Sequence, residues 1–132
     1  MNMGDRVNIA VQDGGNRIYL YSQWGGHSAP ETVREALAWR QRWDDPSYLT
    51  RIIFCTMIGD NKGETGFGIG TRLDDNEHPI LVVDCDSKTV TIEADTRKHF
   101  EYCKPDGEAK SYSFEAYAAL PRATWQTLDT GA

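Results

Sequence analysis

The feature that most constrains the fold is a pair of alternating segments joined by a short turn. Residues 7–12 read Val-Asn-Ile-Ala-Val-Gln and residues 17–22 read Arg-Ile-Tyr-Leu-Tyr-Ser, so both segments have an apolar side and a polar side. Asp-Gly-Gly-Asn at 13–16 lies between them, and Gly and Asn adopt the backbone angles that tight turns require. This pattern predicts a β-hairpin, which favours an antiparallel sheet.

Two helices are predicted after the hairpin. Ser28 and Glu31 have the spacing of a capping box, with Pro30 in the first turn, and this helix should run to about residue 42. Asp45 is expected to cap a second helix that ends at about residue 58. Apolar residues recur along it at helical spacing: Leu49, Ile52, Ile53 and Met57. Because residues 51–58 are also β-branched and apolar enough for a buried strand, that alternative stays open here.

The remainder of the chain predicts three more strands and a short helix. The strands are expected at 67–73, 79–85 and 88–93, with the second of them buried on both faces. Residues 95–112 have the composition of a long loop, a helix is predicted at 114–120, and 122–132 should form a loosely ordered tail. The chain is therefore predicted to be a single α+β domain, 1–132. It should have about five mostly antiparallel strands and two or three helices packed on one face.

Composition excludes several classes of partner. With 14 basic and 20 acidic residues the net charge is -6, so a nucleic acid polymer is not expected as a partner. No apolar run approaches the roughly 18 residues of a membrane span, so no membrane association is expected. The three cysteines, Cys55, Cys85 and Cys103, are an odd number and far apart, which indicates reduced thiols. The first residues lack the apolar segment of a signal peptide, so we expect a cytoplasmic protein.

The elbow between the second strand and the first helix is the leading candidate for a binding site. It reads Trp24-Gly25-Gly26-His27 and follows Tyr21 in the strand. Glycines allow a ligand to approach the backbone, and a helix start attracts anions. An aromatic ring offers a face for stacking. The segment predicts a seat for an anion or a nucleotide, and the alternative of a tight turn with a core tryptophan stays open.

A second glycine-rich segment follows at 63–72. Gly66, Gly68 and Gly70 alternate, so they lie on one face of a predicted strand, and a face without side chains implies that something approaches closely. Either an aromatic ring of the core or a ligand fits this requirement. If it is a ligand, its hydrogen-bond partners would be Thr65, Thr71 and Arg72. The segment lacks the Lys-Ser/Thr ending of a P-loop and the helix of a dinucleotide fingerprint.

No catalytic or metal-binding motif is predicted. The histidines, His27, His78 and His99, do not have the spacing of a metal site, and neither metal nor cofactor is expected. Asp84 and Asp86 could form an acid–base pair, but aspartate is common where strands turn.

The second predicted helix suggests self-association. It is apolar on more than one face through Leu49, Ile52, Ile53, Phe54, Met57 and Ile58. In a domain of this size one face can cover the sheet while the other meets a copy of the chain. We therefore expect a homo-oligomer, a dimer or a tetramer.

Several runs resemble a family of small hypothetical proteins of tailed phages and archaeal viruses. These are Gly-Asp-Arg-Val-Asn at 4–8, Tyr-Leu-Tyr-Ser-Gln-Trp-Gly-Gly at 19–26, Glu-Thr-Gly-Phe-Gly-Ile at 64–69 and Asn-Glu-His-Pro-Ile-Leu-Val-Val at 76–83. The resemblance covers roughly residues 4–95 and implies no catalytic residues. Small phage proteins of this size that fold as compact α+β oligomers include the anti-CBASS and anti-Thoeris sponges, which sequester cyclic nucleotide signals.

The anion-competent helix start, the aromatic groups beside it and the lack of a coherent catalytic set lead us to expect an immune-evasion protein of the host cytoplasm. It would hold a small cyclic nucleotide without cleaving it. Trp24 or Tyr21 would stack on a base, and Gly25, Gly26 and His27 would meet phosphate. Arg51 or Arg72, from the same chain or from a neighbouring subunit, would neutralise the phosphate charge. Thr65 and Thr71 would contact the ribose or the base edge.

Two other functions stay open. One is a protein inhibitor that docks on a host defence enzyme through its acidic surface. The other is a small nucleotide hydrolase or transferase that uses His27 with Asp84 or Asp86.

Overall fold

A computed structural model of the chain describes residues 4–98, 103–105 and 110–130. Within these residues the chain forms six strands and four helices. The strands are β1 (Val7–Asp13), β2 (Asn16–Ser22), β3 (Phe67–Gly70), β4 (Ile80–Asp84), β5 (Thr89–Glu93) and β6 (Ser111–Ser113). The helices are α1 (Ala29–Ala38), α2 (Pro46–Ile58), α3 (Phe114–Ala118) and α4 (Trp125–Thr130).

The strands form one sheet in the order β3-β2-β1-β4-β5-β6. The predicted α+β class is confirmed, with six strands where about five were expected and four helices where two or three were expected. Neighbouring strands are antiparallel except β1 and β4, which run parallel with Ile9 opposite Leu81. The alternation of side chains reveals which residues face the core, but not the direction of the neighbouring strand. The parallel pair was therefore not predicted.

The main core lies between one face of the sheet and the helices. Alternate residues of β1 point into it, and each helix contributes buried side chains. The central members are Val7, Ile9, Val11, Leu20, Val33, Leu37, Leu49, Ile53, Leu81, Val83, Phe114, Tyr117 and Leu128. Complete burial of such a side chain contributes about 1.5–3 kcal/mol, so this layer supplies most of the driving force for folding.

The opposite face of the sheet carries a smaller apolar cluster. Ala10, Ile80 and Val82 are buried there, with Tyr19 and Leu73 packed against them. Because Leu81 and Val83 lie in the main core, β4 is buried on both faces, as predicted.

The second helix has the predicted bounds. It runs over Pro46–Ile58, and the Asp45 side chain accepts a hydrogen bond from the backbone of Tyr48. The strand alternative for residues 51–58 is therefore wrong. The first helix ends at Ala38, earlier than predicted, because Arg40 and Arg42 adopt positive φ angles that stop it.

The predicted capping box at the start of α1 does not form. The Ser28 side chain makes no capping hydrogen bond to the helix. Glu31 pairs with Arg34 at 2.6 Å instead, and also accepts a hydrogen bond from the backbone of Ala123 at 2.9 Å. The sequence spacing assigned the Glu31 carboxylate to the helix cap. In the structure this carboxylate bonds instead to Arg34 and to the distant backbone of Ala123.

The C-terminal region, predicted as a tail, contains a helix. Residues 125–130 form α4, and Ala123 and Leu128 are buried in the main core. Two apolar residues in so short a segment give a weak periodic signal, which explains why this helix was not predicted. The predicted loop at 95–112 includes the start of β6, while 99–102, 106–109 and 131–132 lie outside the described residues. No helix in the described ranges has the length and apolar character needed to cross a bilayer.

Candidate functional site

The elbow between β2 and α1 is fixed by hydrogen bonds to two other segments. The backbone N–H of Gln23, just before the elbow, donates to the carbonyl of Gly66, just before β3, at 2.8 Å. The backbone of Asp5 makes two further bonds, donating to Gln23 and accepting from Gly26, each at 2.8 Å. The segment that leads into β1 therefore lies along one side of the elbow.

A cleft of about 480 Å³ opens on the other side of the elbow. Its walls come from the elbow, the end of α2 and the residues before β3: Ser22, Trp24, Gly25, Ser28, Met57, Asn61, Glu64 and Phe67. Trp24 is 50% exposed, so its ring is a wall of the cleft and not part of the core. A Cβ atom at Gly66 would collide with the Trp24 ring, which gives this glycine a packing reason. Gly68 has open space around it, so contact with a neighbouring side chain does not explain all of the alternating glycines Gly66, Gly68 and Gly70.

The amides of the elbow already have acceptors within the protein. Gly25 donates to the Ser22 hydroxyl at 2.9 Å, Gly26 to the carbonyl of Asp5, and His27 to the Asp5 carboxylate at 2.8 Å. These three N–H groups therefore cannot also donate to a phosphate, contrary to the predicted anion-binding site. The acceptors on Asp5 come from a segment about 20 residues away, and local sequence does not reveal them.

The other predicted site residues are dispersed. Thr65 follows the cleft residue Glu64, whereas Thr71 and Arg72 line a separate cavity beyond β3. Arg51 is exposed on α2, where its guanidinium lies 3.8 Å from the Cys55 sulfur.

Tyr21 also lies away from the cleft. It alternates with the cleft residue Ser22 along β2, so it points to the opposite face of the sheet. Burial raises the pKa of its hydroxyl. Of the predicted set, only Trp24 and Gly25 line the cleft directly.

A cluster that was not predicted lies on the side of the elbow that contacts Asp5. The Asp5 carboxylate contacts two imidazoles, with Oδ2 at 2.5 Å from His27 Nδ1 and Oδ1 at 2.6 Å from His78 Nε2. We call Asp5, His27 and His78 the Asp–His cluster. Asp5 precedes β1 and His78 precedes β4, and the parallel pairing of these strands brings the two residues to the same sheet edge. The His27 side chain is 88% exposed, while that of His78 is 16% exposed.

The Asp–His cluster is tightly packed on one side. The Trp125 indole stacks on the His78 ring, and its Nε1 donates to the Gly26 carbonyl at 2.7 Å. A Cβ atom at Gly26 would collide with His78 and Asp5, so this position requires glycine. The elbow backbone can approach the two side chains only because no side chain intervenes.

The charge state of Asp5 follows from its partners. Burial alone would raise the pKa of this carboxyl, but hydrogen bonds from His78 and His27 outweigh burial and hold it below its ordinary value. The carboxylate is therefore ionised at neutral pH and accepts from both rings. Such a group can orient an imidazole or serve as a metal ligand.

The pairing of His27 with Asp84 or Asp86 is not present. Asp84 accepts a hydrogen bond from Gln12 and Asp86 accepts one from Gly14, both at the far end of β1 from Asp5. Sequence reasoning found His27 but missed Asp5 and His78, because their proximity depends on the parallel strand pair. No known protein family, curated protein or solved structure matches the chain, so the viral resemblance stays a prediction.

Proposed function

We propose that this protein is a binding protein that holds a small heteroaromatic ligand in the elbow cleft without altering it. The ligand class that we propose is a cyclic nucleotide signal, sequestered in the cytoplasm of a phage-infected host. The observation that carries the proposal is Trp24, which stands half-exposed in the wall of a cleft of about 480 Å³. Clefts of roughly 300–1,000 Å³ commonly accommodate small molecules.

The cleft offers an aromatic face beside polar groups. A base stacked on Trp24 would gain about 1–3 kcal/mol. Met57 and Phe67 extend the apolar surface, while Ser28 and Asn61 carry groups that can hydrogen-bond to a ribose or a base edge. The amides of Gly25, Gly26 and His27 are already bonded, so these residues would act through shape and not through their N–H groups.

A phosphate in this cleft would sit near the start of α1. The first turn of α1 has no side-chain cap, and Ser28 at this start lines the cleft. The positive end of a helix dipole stabilises an anion there. Glu64 adds a negative charge to the wall, and no Lys or Arg is among the lining residues of the described chain. A second source of positive charge is therefore needed.

We propose that a second copy of the chain supplies this charge. Among the described residues β3 is an outer strand of the sheet, and its Ile69 is 60% exposed. An unpaired edge of this kind is a surface on which another strand can pair. Antiparallel pairing of two β3 strands about the centre of Phe67–Gly70 would place Arg72 of one protomer beside Thr65 of its partner. Thr65 adjoins the cleft residue Glu64, so a homodimer would bring a guanidinium to each cleft.

The test is isothermal titration of the protein with a panel of cyclic dinucleotides and trinucleotides. The matched variants are Trp24→Ala and Trp39→Ala, because both side chains are at least half exposed. We expect one panel member to bind, Trp24→Ala to weaken binding at least tenfold, and Trp39→Ala to bind like the wild type. Failure of every member to bind, or unchanged affinity in Trp24→Ala, would overturn the proposal.

The same samples separate sequestration from catalysis. After incubation the protein is denatured by heat, and the released ligand is analysed by chromatography. We expect the ligand to be recovered intact. A cleaved or transferred product would instead favour a nucleotide hydrolase or transferase.

A further inference from the structure

We propose that the Asp–His cluster is a binding site for a divalent transition metal ion, with Zn²⁺ as the representative ligand. A carboxylate oxygen of Asp5, Nδ1 of His27 and Nε2 of His78 all lie within 4.8 Å of one another. Two imidazoles and one carboxylate form a donor set that suits Zn²⁺ and neighbouring first-row metals. The proposal is independent of the ligand proposed for the cleft.

The separations between the donor atoms are compatible with a small outward movement around an ion. Bonds of about 2.0–2.2 Å in tetrahedral geometry put neighbouring donor atoms about 3.3 Å apart. The present separations from the Asp5 oxygens are 2.5 Å to His27 and 2.6 Å to His78. An ion would therefore push the rings outward by less than about 1 Å, and each neutral imidazole would then carry its proton on its other ring nitrogen. The exposed His27 ring has the freedom to make this movement.

The surroundings hold the Asp5 carboxylate and the His78 ring in place. The His27 backbone N–H donates to Asp5 Oδ2 at 2.8 Å, and such outer bonds hold a ligating carboxylate in position. The Asp5 backbone is held at both its N–H and its carbonyl by the elbow. The Trp125 indole covers His78, with ring centroids 5.3 Å apart, and so fixes the plane of that imidazole.

The glycine at position 26 is a second observation that points to a compact site. Only a residue without a side chain fits between the elbow backbone and the donor atoms of His78 and Asp5. An exposed imidazole on an already paired carboxylate contributes little to stability. A bound ion gives this arrangement a role. Because His27 faces solvent, the fourth position would be open to water or to an anionic group.

The experiment is isothermal titration of chelator-treated, full-length protein with Zn²⁺, compared with the variant His27→Ala. This side chain is so exposed that its removal should leave the fold intact, which circular dichroism checks. We expect one Zn²⁺ per chain and at least a tenfold loss of affinity in His27→Ala. Asp5→Asn keeps the size of the side chain and should also lose at least tenfold.

Two control variants separate this site from adventitious binding. Cys55→Ser removes the exposed thiol, and His99→Ala removes the third histidine. Both should bind Zn²⁺ like the wild type. The Co²⁺ complex of the wild type should show visible d–d absorption without a thiolate charge-transfer band. Absence of stoichiometric binding, unchanged affinity in His27→Ala, or loss of binding in either control would overturn the proposal.

Discussion

The indole of Trp125 lies flat on the imidazole of His78, with 4° between the ring planes. The same indole donates a hydrogen bond to the Gly26 carbonyl in the elbow. One side chain from α4 thus joins the residue before β4 to the bend after β2. The C-terminal helix therefore forms part of the surroundings of the Asp–His cluster.

Replacing Trp125 should test this connection. Trp125→Phe retains an aromatic ring and loses the indole N–H, so we expect a loss of about 1 kcal/mol in the free energy of unfolding. Trp125→Ala loses both contacts and should cost about 2–3 kcal/mol, less than for a fully buried tryptophan. Urea denaturation measures both values. Trp39→Ala is the control, and equal losses in Trp39→Ala and Trp125→Ala would contradict the structural role.

Substitution of Gly66 should disturb the cleft wall. A methyl group at Gly66 meets the Trp24 ring, whereas the same group at Gly68 meets open space. We expect Gly66→Ala to destabilise the protein by about 1–3 kcal/mol through overpacking. Gly68→Ala should be neutral, or stabilising by up to about 1 kcal/mol, because it restricts the unfolded chain. Denaturation midpoints measure both. A Gly66→Ala variant as stable as Gly68→Ala would show that the Trp24 ring is free to move away.

The buried hydroxyl of Tyr117 ties α3 to the start of α1. It donates to the Pro30 carbonyl at 2.8 Å. Tyr117→Phe removes this bond while the Pro30 carbonyl keeps its partner within α1, so we expect a loss of about 0.5–1.5 kcal/mol in the free energy of unfolding. Tyr48→Phe, at an exposed ring, should change it by less than about 0.5 kcal/mol. Thermal unfolding compares the two, and a similar midpoint for both variants would refute the role of the Tyr117 hydroxyl.

The buried carboxylate of Asp95 should make stability depend on acid pH. Burial alone would raise its pKa, but hydrogen bonds from Arg97 and Asn76 outweigh burial and lower it. Because the pKa is lower in the folded state, the stabilisation is complete above the unfolded pKa of about 4. It is lost as the pH falls through the folded pKa.

Asp95→Asn tests that pH dependence. At pH 7 we expect it to cost about 1.5–3 kcal/mol, because Arg97 loses a charged partner. The difference from the wild type should shrink as the pH falls below about 4. Urea denaturation at pH 7 and pH 3 measures it, with Asp60→Asn in an exposed loop as the control. A constant difference across this range would contradict the account.

Local chemistry was sufficient to predict the hairpin and α2. Asp45 and Pro46 mark the start of α2, and its apolar spacing extends to Ile58, where the helix ends. The parallel pairing of β1 and β4 is a long-range contact without a local signal. The Asp–His cluster depends on that pairing, which explains why spacing alone missed it. The elbow was correctly recognised as a bend, but the occupancy of its amides depends on Asp5 and was not predictable from the bend itself.

The most direct test of the central claim is a two-dimensional ¹⁵N NMR titration with the cyclic nucleotide that binds best. The indole N–H of each tryptophan gives a separate reporter. We predict that the Trp24 indole and the amides around Ser28 and Asn61 shift and saturate together, while the Trp39 indole stays unchanged. Saturating shifts elsewhere, with Trp24 unaffected, would contradict the assignment of the elbow cleft as the binding site.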